Sequence, residues 1–283
     1  MDELRGPRRR SARTGLAGLL LSLLLLPASL RAQLRPYEPF RWEAFDDDVS
    51  VAAEVGAGWL TGQRASLTGS EGRLVEAGQF RLLWRSGRFV LEGSGTVRRF
   101  FAERDRFDSP FPEVLPSSDG HRSDSGDYLV TTTALLTSQD RPLAAALRFG
   151  TRLPTTDNTV GLERDRTDFF ALLLGRANHG SVRASAGLGV GVHGTRMQGF
   201  EQSDMLVFAL GLERTRGSFR PSLHLVGHAD GLANRTVRGN EELAELRLGF
   251  RLGDANWLRL DLLRGLTDFS PQAGLLLAVG FSR

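Results

Sequence analysis

From Val49 onward, apolar and polar residues trade places at nearly every step, in about twelve separate segments. A period of two is the mark of extended strands whose two faces meet different surroundings. Arg88–Phe101 shows it: Phe89, Leu91, Gly93, Gly95 and Val97 fall on one face, and Arg88, Glu92, Ser94, Thr96 and Arg98 on the other. The segments begin near Val49, Arg73, Arg88, Tyr128, Leu143, Thr167, Ser181, Asp204, Phe219, Glu241, Trp257 and Gln272. Each runs for about 10–14 residues, near the roughly 9–11 that a tilted strand needs to cross hydrocarbon.

The connections alternate as well. Short polar links are expected at Ser86-Gly87, Gln139–Pro142, Ala177–Gly180, Thr215–Ser218 and Gly253–Asn256. Longer ones are expected near Gly62–Gly72, Ala102–Asp127, Pro154–Arg166, Thr195–Ser203 and Gly231–Asn240. Tight turns at one end and long loops at the other suit a transmembrane barrel, in which every backbone N–H and C=O finds a partner in the closed ring. A soluble β-sandwich also alternates, but it has no need of this asymmetry. The expected fold is therefore all-β: an up-and-down antiparallel transmembrane barrel of about twelve strands over residues 49–283.

Residues 1–32 read as a cleavable export signal. Arg5, Arg8, Arg9, Arg10 and Arg13 precede an apolar run from Leu16 to Leu26, Pro27 ends that run, and Ala32 offers a small residue for cleavage. Six of the 36 basic residues and two of the 33 acidic ones lie in this signal, so the rest of the chain is close to neutral. That balance gives no reason to expect nucleic acid as a partner. With no cysteine, disulfides and thiolate metal sites are excluded, and no cofactor is expected. Residues 33–48, with Pro36, Pro39 and the acids Asp46–Asp48, read as an irregular periplasmic lead-in.

One stretch does more than alternate. Phe149-Gly150-Thr151-Arg152-Leu153-Pro154-Thr155-Thr156-Asp157, followed by Gly161-Leu162 and Thr167-Asp168, resembles a signature of the outer-membrane family named for the meta-cleavage pathway of phenol degradation, with its transporter-like relatives. Thr156 stands where that family carries glycine, and Glu163-Arg164-Asp165 stands where it has small residues. The resemblance implies a barrel in the outer membrane of a Gram-negative cell that passes small hydrophobic or aromatic molecules. It assigns no catalytic residue. The last strand, with Leu275, Leu277, Val279 and Phe281 alternating to the end, resembles the signal read by barrel-assembly machinery. Lipid and lipopolysaccharide would surround the product.

The polar face of such a barrel lines its lumen. The expected lining is arginine-rich, with Arg81, Arg85, Arg98, Arg148, Arg152, Arg183, Arg220, Arg247, Arg251 and Arg259. The acids Glu92, Glu245 and Asp261 and the histidines His224 and His228 join them, the histidines beside Asp230. A narrow lumen of this kind passes small solutes; the same side chains, if salt-bridged across it, form a filled structural or partner-binding barrel. A third reading is a lipid hydrolase, for which His121-Arg122-Ser123 and His179-Gly180-Ser181 supply Ser–His pairs. Neither has the asparagine that lipid-deacylating barrels place after the serine.

Overall fold

A computed structural model of the chain describes residues 34–46, 49–108, 119–138, 141–157, 159–163, 165–197, 200–230 and 242–283. The export signal expected over 1–32 lies outside these residues. Thirteen strands follow in order: β1 (Val51–Ala65), β2 (Ser70–Ser86), β3 (Phe89–Arg106), β4 (His121–Asp124), β5 (Tyr128–Leu135), β6 (Leu143–Leu153), β7 (Asp168–His179), β8 (Val182–Met197), β9 (Phe200–Arg214), β10 (Phe219–Asp230), β11 (Leu243–Leu252), β12 (Asn256–Gly265) and β13 (Ala273–Ser282). All pairings are antiparallel between neighbours, and β1 pairs with both β2 and β13, so the sheet closes on itself. The short β4 and β5 occupy successive stretches beside β3, so thirteen strands make a twelve-position barrel.

Alternation explains the barrel's two surfaces. Leu143, Leu147, Phe149 and Leu153 of β6 are exposed, while Arg148 and Arg152 between them are buried in the interior. The same holds at β13, where Leu275, Leu277, Val279 and Phe281 form part of an exposed apolar exterior. In water such a surface is unfavourable at about 25 cal/mol per Å²; in hydrocarbon it is matched. The closing seam is tied at the chain's end, where Val51 and Arg283 exchange two backbone hydrogen bonds of 2.8 Å each. Two links expected to be long are mostly strand. β1 and β2 are joined by Ser66–Gly69, with Gly69 in the left-handed region, and β8 extends to Met197.

The face pattern of β2 inverts at a bulge, and there one sequence expectation fails. On β2, Glu76 and Arg81 both point inward although one is an even and the other an odd position, which strict alternation would put on opposite faces. Gly78 is the extra residue: the β1–β2 register shifts between Gly56 and Ala57, and Gly78 has φ 67°. Opposite it on β3, Val97 and Arg98 are both exposed, and Arg99 takes the inward place. Arg98, expected in the lumen, therefore lies outside and donates to Ser123 Oγ at 2.7 Å. A β-bulge adds one residue and turns the strand by one face. Replacing Gly78 with alanine should cost about 1–2 kcal/mol, because an L side chain is disfavoured at positive φ. The new Cβ would also sit 3.0 Å from the side chain of Val97. Denaturant unfolding of the barrel in lipid vesicles measures this, and an unchanged midpoint would remove the bulge from the account.

The larger correction concerns the lead-in. Residues 34–46 are not in the periplasm but inside the barrel. Leu34, Tyr37, Phe40, Trp42, Ala44 and Phe45 are all buried, the last four around a short 3₁₀ turn, Trp42–Phe45. Leu34 packs among Leu60, Ala65, Leu74, Phe101 and Leu162, near the outer links. Asp46 meets Arg183 near the tight turns of the opposite end. The segment thus runs the length of the lumen before β1 begins. The physical reason is the segment's composition: four aromatic side chains leave water, and its charges find partners on the wall.

Candidate functional site

The lumen and its threaded segment form one ionic and aromatic lattice. Along one side of the segment, charges recur every two or three residues, and each meets a wall residue. Arg35 bonds Glu76 at 3.1 Å and Glu245 at 3.4 Å. Glu38 receives Arg247 at 2.8 Å. Arg41 makes two bonds to Glu54, at 2.6 and 2.9 Å. Glu43 pairs with Arg251 at 2.9 Å, and Asp46 with Arg183 at 3.2 Å. The segment's backbone is held too: Arg148 donates to the carbonyl of Glu38 at 2.9 Å and Arg85 to that of Asp46.

The aromatic side is matched with equal regularity. Arg152 lies 4.9 Å from the ring centre of Tyr37, Arg148 5.7 Å from Phe40, Arg176 5.3 Å from Trp42 and Arg85 6.0 Å from Phe45. Cations over aromatic faces contribute about 0.5–2 kcal/mol each, more where water is excluded. Tyr37 also shares a 2.9 Å hydrogen bond with His193, and His193 packs edge-on against His228.

Of the residues expected to line the lumen, Arg81, Glu92, Arg148, Arg152, Arg183, His228, Glu245, Arg247 and Asp261 are buried. Arg81 and Arg148 converge on Glu92, at 2.7 and 3.1 Å. Arg152 lies 3.8 Å from Asp168, its cross-strand partner in the signature stretch. Arg183 bonds Glu213 on the neighbouring strand at 3.0 Å, and Arg259 bridges Asp261 and Glu54. Arg247 joins Glu245 to the segment. His228 is fully buried, His224 lines a small cavity with Arg247 and Asp261, and Arg220 sits at the periplasmic mouth against Asp254. Glu54, Glu76, Arg99, Glu163 and Arg176 were not expected, and with His193 they belong to the same lattice. Two aromatic side chains of the wall also turn inward: Phe101 is buried, and Trp257 lies under Arg251, 4.1 Å away, donating to Glu54.

The space left over is divided. Towards the outer side lies a cavity of about 140 Å³, lined by Arg81, Phe80, Ser94, Leu129 and Leu276 among others. At the periplasmic mouth a larger one of about 500 Å³ is lined by Arg220, Arg251, Trp257 and Asp254. Arg41, Glu54 and Arg81 border both. Among the described residues no cluster of histidine and carboxylate side chains suits a metal ion. Ser123 of the outer His–x–Ser triplet accepts its hydrogen bond from Arg98.

One outer carboxyl is held well above the usual carboxylate range. Asp127, between β4 and β5, is half-buried beside Glu163, and burial and then that neighbouring charge push its carboxyl up to about 8. A folded-state value above the unfolded one of about 3.9 means that stability is fullest below the unfolded value, is lost as pH rises through the folded one, and levels off above it. The melting midpoint should therefore drop between about pH 4 and about pH 8, and Asp127→Asn should flatten that drop. Equal drops in both proteins would place the titration elsewhere.

No protein-family profile matches the chain, and no curated protein does. Solved structures do. The COG4313 outer membrane channel from Pseudomonas putida F1 superposes with a TM-score of 0.59 over 87% of this chain and 100% of the other, at 14% identity. The KdgM porin matches with a TM-score of 0.48 and 9% identity, over 82% of this chain and 99% of its own. The translocator domain of the autotransporter NalP from Neisseria meningitidis gives 0.48 and 11%, over 84% and 90%. At these identities the likeness is one of architecture, and the first of them, with the closed register and the apolar exterior, establishes that the chain has the fold of an outer-membrane β-barrel.

Proposed function

We propose that this chain is a plugged channel of the outer membrane, through which small molecules pass passively when the segment 34–46 yields. The observation that carries the proposal is the segment itself. It threads the lumen, and the ion pairs that fasten its charges to the wall are formed with lumen side chains. A barrel meant only as a wall could fill its interior from its own strands, as small barrels do. Filling it with a separable piece of chain gives the lumen a second state.

The signature stretch supports kinship with the phenol-pathway family, and with it a cargo of small hydrophobic or aromatic molecules. Its Arg152 and Asp168 form part of the wall that grips Tyr37. Lipid, lipopolysaccharide and barrel-assembly machinery are the partners that an exposed apolar exterior and the strand ending in Phe281 call for. Purified protein in a planar bilayer tests the reading. Expected are long closed intervals broken by unitary openings, more frequent as voltage pulls on the charged segment. Permanent silence at every voltage, with the segment deleted as well, would leave the structural-barrel reading in its place.

A further inference from the structure

We propose that the outside of the barrel wall carries a docking site for lipopolysaccharide, in which Arg73 and Arg98 hold a phosphate of its lipid anchor while an acyl chain lies on Val75 and Phe100. The inference rests on the reading that lipopolysaccharide surrounds the barrel, and it does not need the lumen to conduct. The site is a shallow depression of about 330 Å³ on the outward face of β2, β3 and β4. Cross-strand pairing puts Arg73, Ala102 and His121 side by side in one row, and Val75, Phe100 and Ser123 in the row beneath it. Ala102 has the smallest side chain of these six, so the floor sinks between Arg73 and His121. Val75 and Phe100 are exposed, as is Trp59, which continues their row onto β1.

The donors are within reach of a ligand. Arg73 and Arg98 are both exposed. Among the described residues Arg73 forms no hydrogen bond or ion pair; its guanidinium lies 5.9 Å from the ring centre of Trp59. Arg98 donates from Nε to Ser123 Oγ at 2.7 Å, which brings its guanidinium to the edge of the depression and leaves both Nη groups without a partner among those residues. No carboxylate lines the depression. Asp124 is buried on the inner face of β4, and Asp119 accepts from the backbone N–H of His121 at 3.1 Å. Two like charges flanking one depression repel, and a phosphate between them turns that repulsion into charge-assisted hydrogen bonds that suit the planar fork of arginine. Height decides the source of the phosphate. From Ser86 at the tight turn to Arg73, β2 is longer than the roughly 9–11 residues that a strand needs to cross hydrocarbon. Arg73 thus stands where lipid tails give way to headgroups, and the exposed Trp59 marks the same boundary. An anion fixed at that level, with an acyl chain running down past Val75 and Phe100, is a phosphorylated lipid of the outer leaflet.

The test is native mass spectrometry of the full folded barrel in mild detergent with EDTA, at constant ionic strength, titrated with diphosphorylated lipid A or with its phosphate-free form. One molecule of the diphosphorylated lipid should bind about ten-fold or more tighter than the phosphate-free one, the worth of one charge-assisted hydrogen bond. Inorganic phosphate at equal concentration should not displace it. Arg73→Gln and Arg98→Gln should each remove most of the preference. Ala102→Phe, which fills the floor and keeps both arginines, should weaken binding as much, and it serves if either arginine variant does not fold. Arg264→Gln, at an exposed arginine near the outer end of β12 that donates to the carbonyl of Gln272 at 2.9 Å, should leave binding intact. Equal binding of the two lipids, displacement by inorganic phosphate, or an equal loss in Arg264→Gln and Arg73→Gln would overturn the site. Separate measurements keep the claims apart. Failure to insert into vesicles containing lipopolysaccharide sinks the surrounding-lipid reading, insertion without a phosphate preference sinks the site alone, and a phosphate preference without current in planar bilayers sinks the channel alone.

Discussion

Deleting residues 33–46 should convert a mostly closed barrel into one that conducts steadily, with a mean current at fixed voltage several-fold above that of the intact chain. The deletion removes Tyr37, Phe40, Trp42 and Phe45 from the lumen's centre together with the five charges that span it. It leaves behind Arg247, Arg251, Arg183, Arg148 and Arg152 on the wall, all of which would then face water rather than the plug. Because the segment carries three acids, Glu38, Glu43 and Asp46, against two arginines, Arg35 and Arg41, its loss leaves the lumen more positive, and the opened channel should also favour anions. The strands do not depend on the segment for their backbone pairing, since β1 is held between β2 and β13. The variant should therefore still fold, which its altered gel mobility before heating would show. A gentler variant makes the same point. Glu38→Arg places a like charge against Arg247 and Arg35, and its openings should be longer than those of the intact chain. An unchanged current in both variants would mean that the lumen is blocked by its own wall, and the plugged-channel reading would fall.

The barrel was legible in the sequence because its rule is local. Side-chain alternation follows from the pleat, so Leu143 to Leu153 or Glu242 to Leu252 announces a strand and its two faces with no knowledge of neighbours. The phase error at Arg98 arose where a local rule stops holding. A bulge is set by one glycine at positive φ, and the sequence shows many glycines without saying which one takes that conformation. Gly78 inverts β2, and Val97 and Arg98 follow on β3 because paired strands must present matching faces. The threaded segment was harder still. Pro36 and Pro39 correctly forbid a regular element there, but irregular chain near a terminus says nothing about its surroundings. The usable signal was the interleaving of Arg35, Glu38, Arg41, Glu43 and Asp46 with Tyr37, Phe40, Trp42 and Phe45. Four large aromatic side chains within nine residues are poorly suited to a solvated linker. The pairing of the interior arginines lies beyond any local rule, since Arg247 reaches across more than two hundred residues to Glu38.

Glu92→Leu should be the most damaging single substitution in the wall, costing about 3–5 kcal/mol, the usual penalty for breaking a buried ion pair by removing one member. Glu92 is 1% exposed and accepts from both Arg81 and Arg148, which are themselves 7% and 1% exposed. Removing the acid leaves two buried guanidinium groups side by side with no counter-charge between them. Arg148 keeps only the carbonyl of Glu38, the hydroxyl of Thr131 and the faces of Phe40 and Phe170; Arg81 keeps the carbonyl of Pro39. None of these carries a full negative charge. The contrast that isolates the cause is the triple replacement of Arg81 and Arg148 by methionine with Glu92→Leu. It removes all three charges and should recover most of the lost stability, because burying charges is itself costly and apolar side chains of similar size fill the space without that penalty. Urea unfolding in lipid vesicles reads both variants. A Glu92→Leu protein within 1 kcal/mol of the parent would show that water already reaches these arginines and that the lumen is open enough to solvate them at rest.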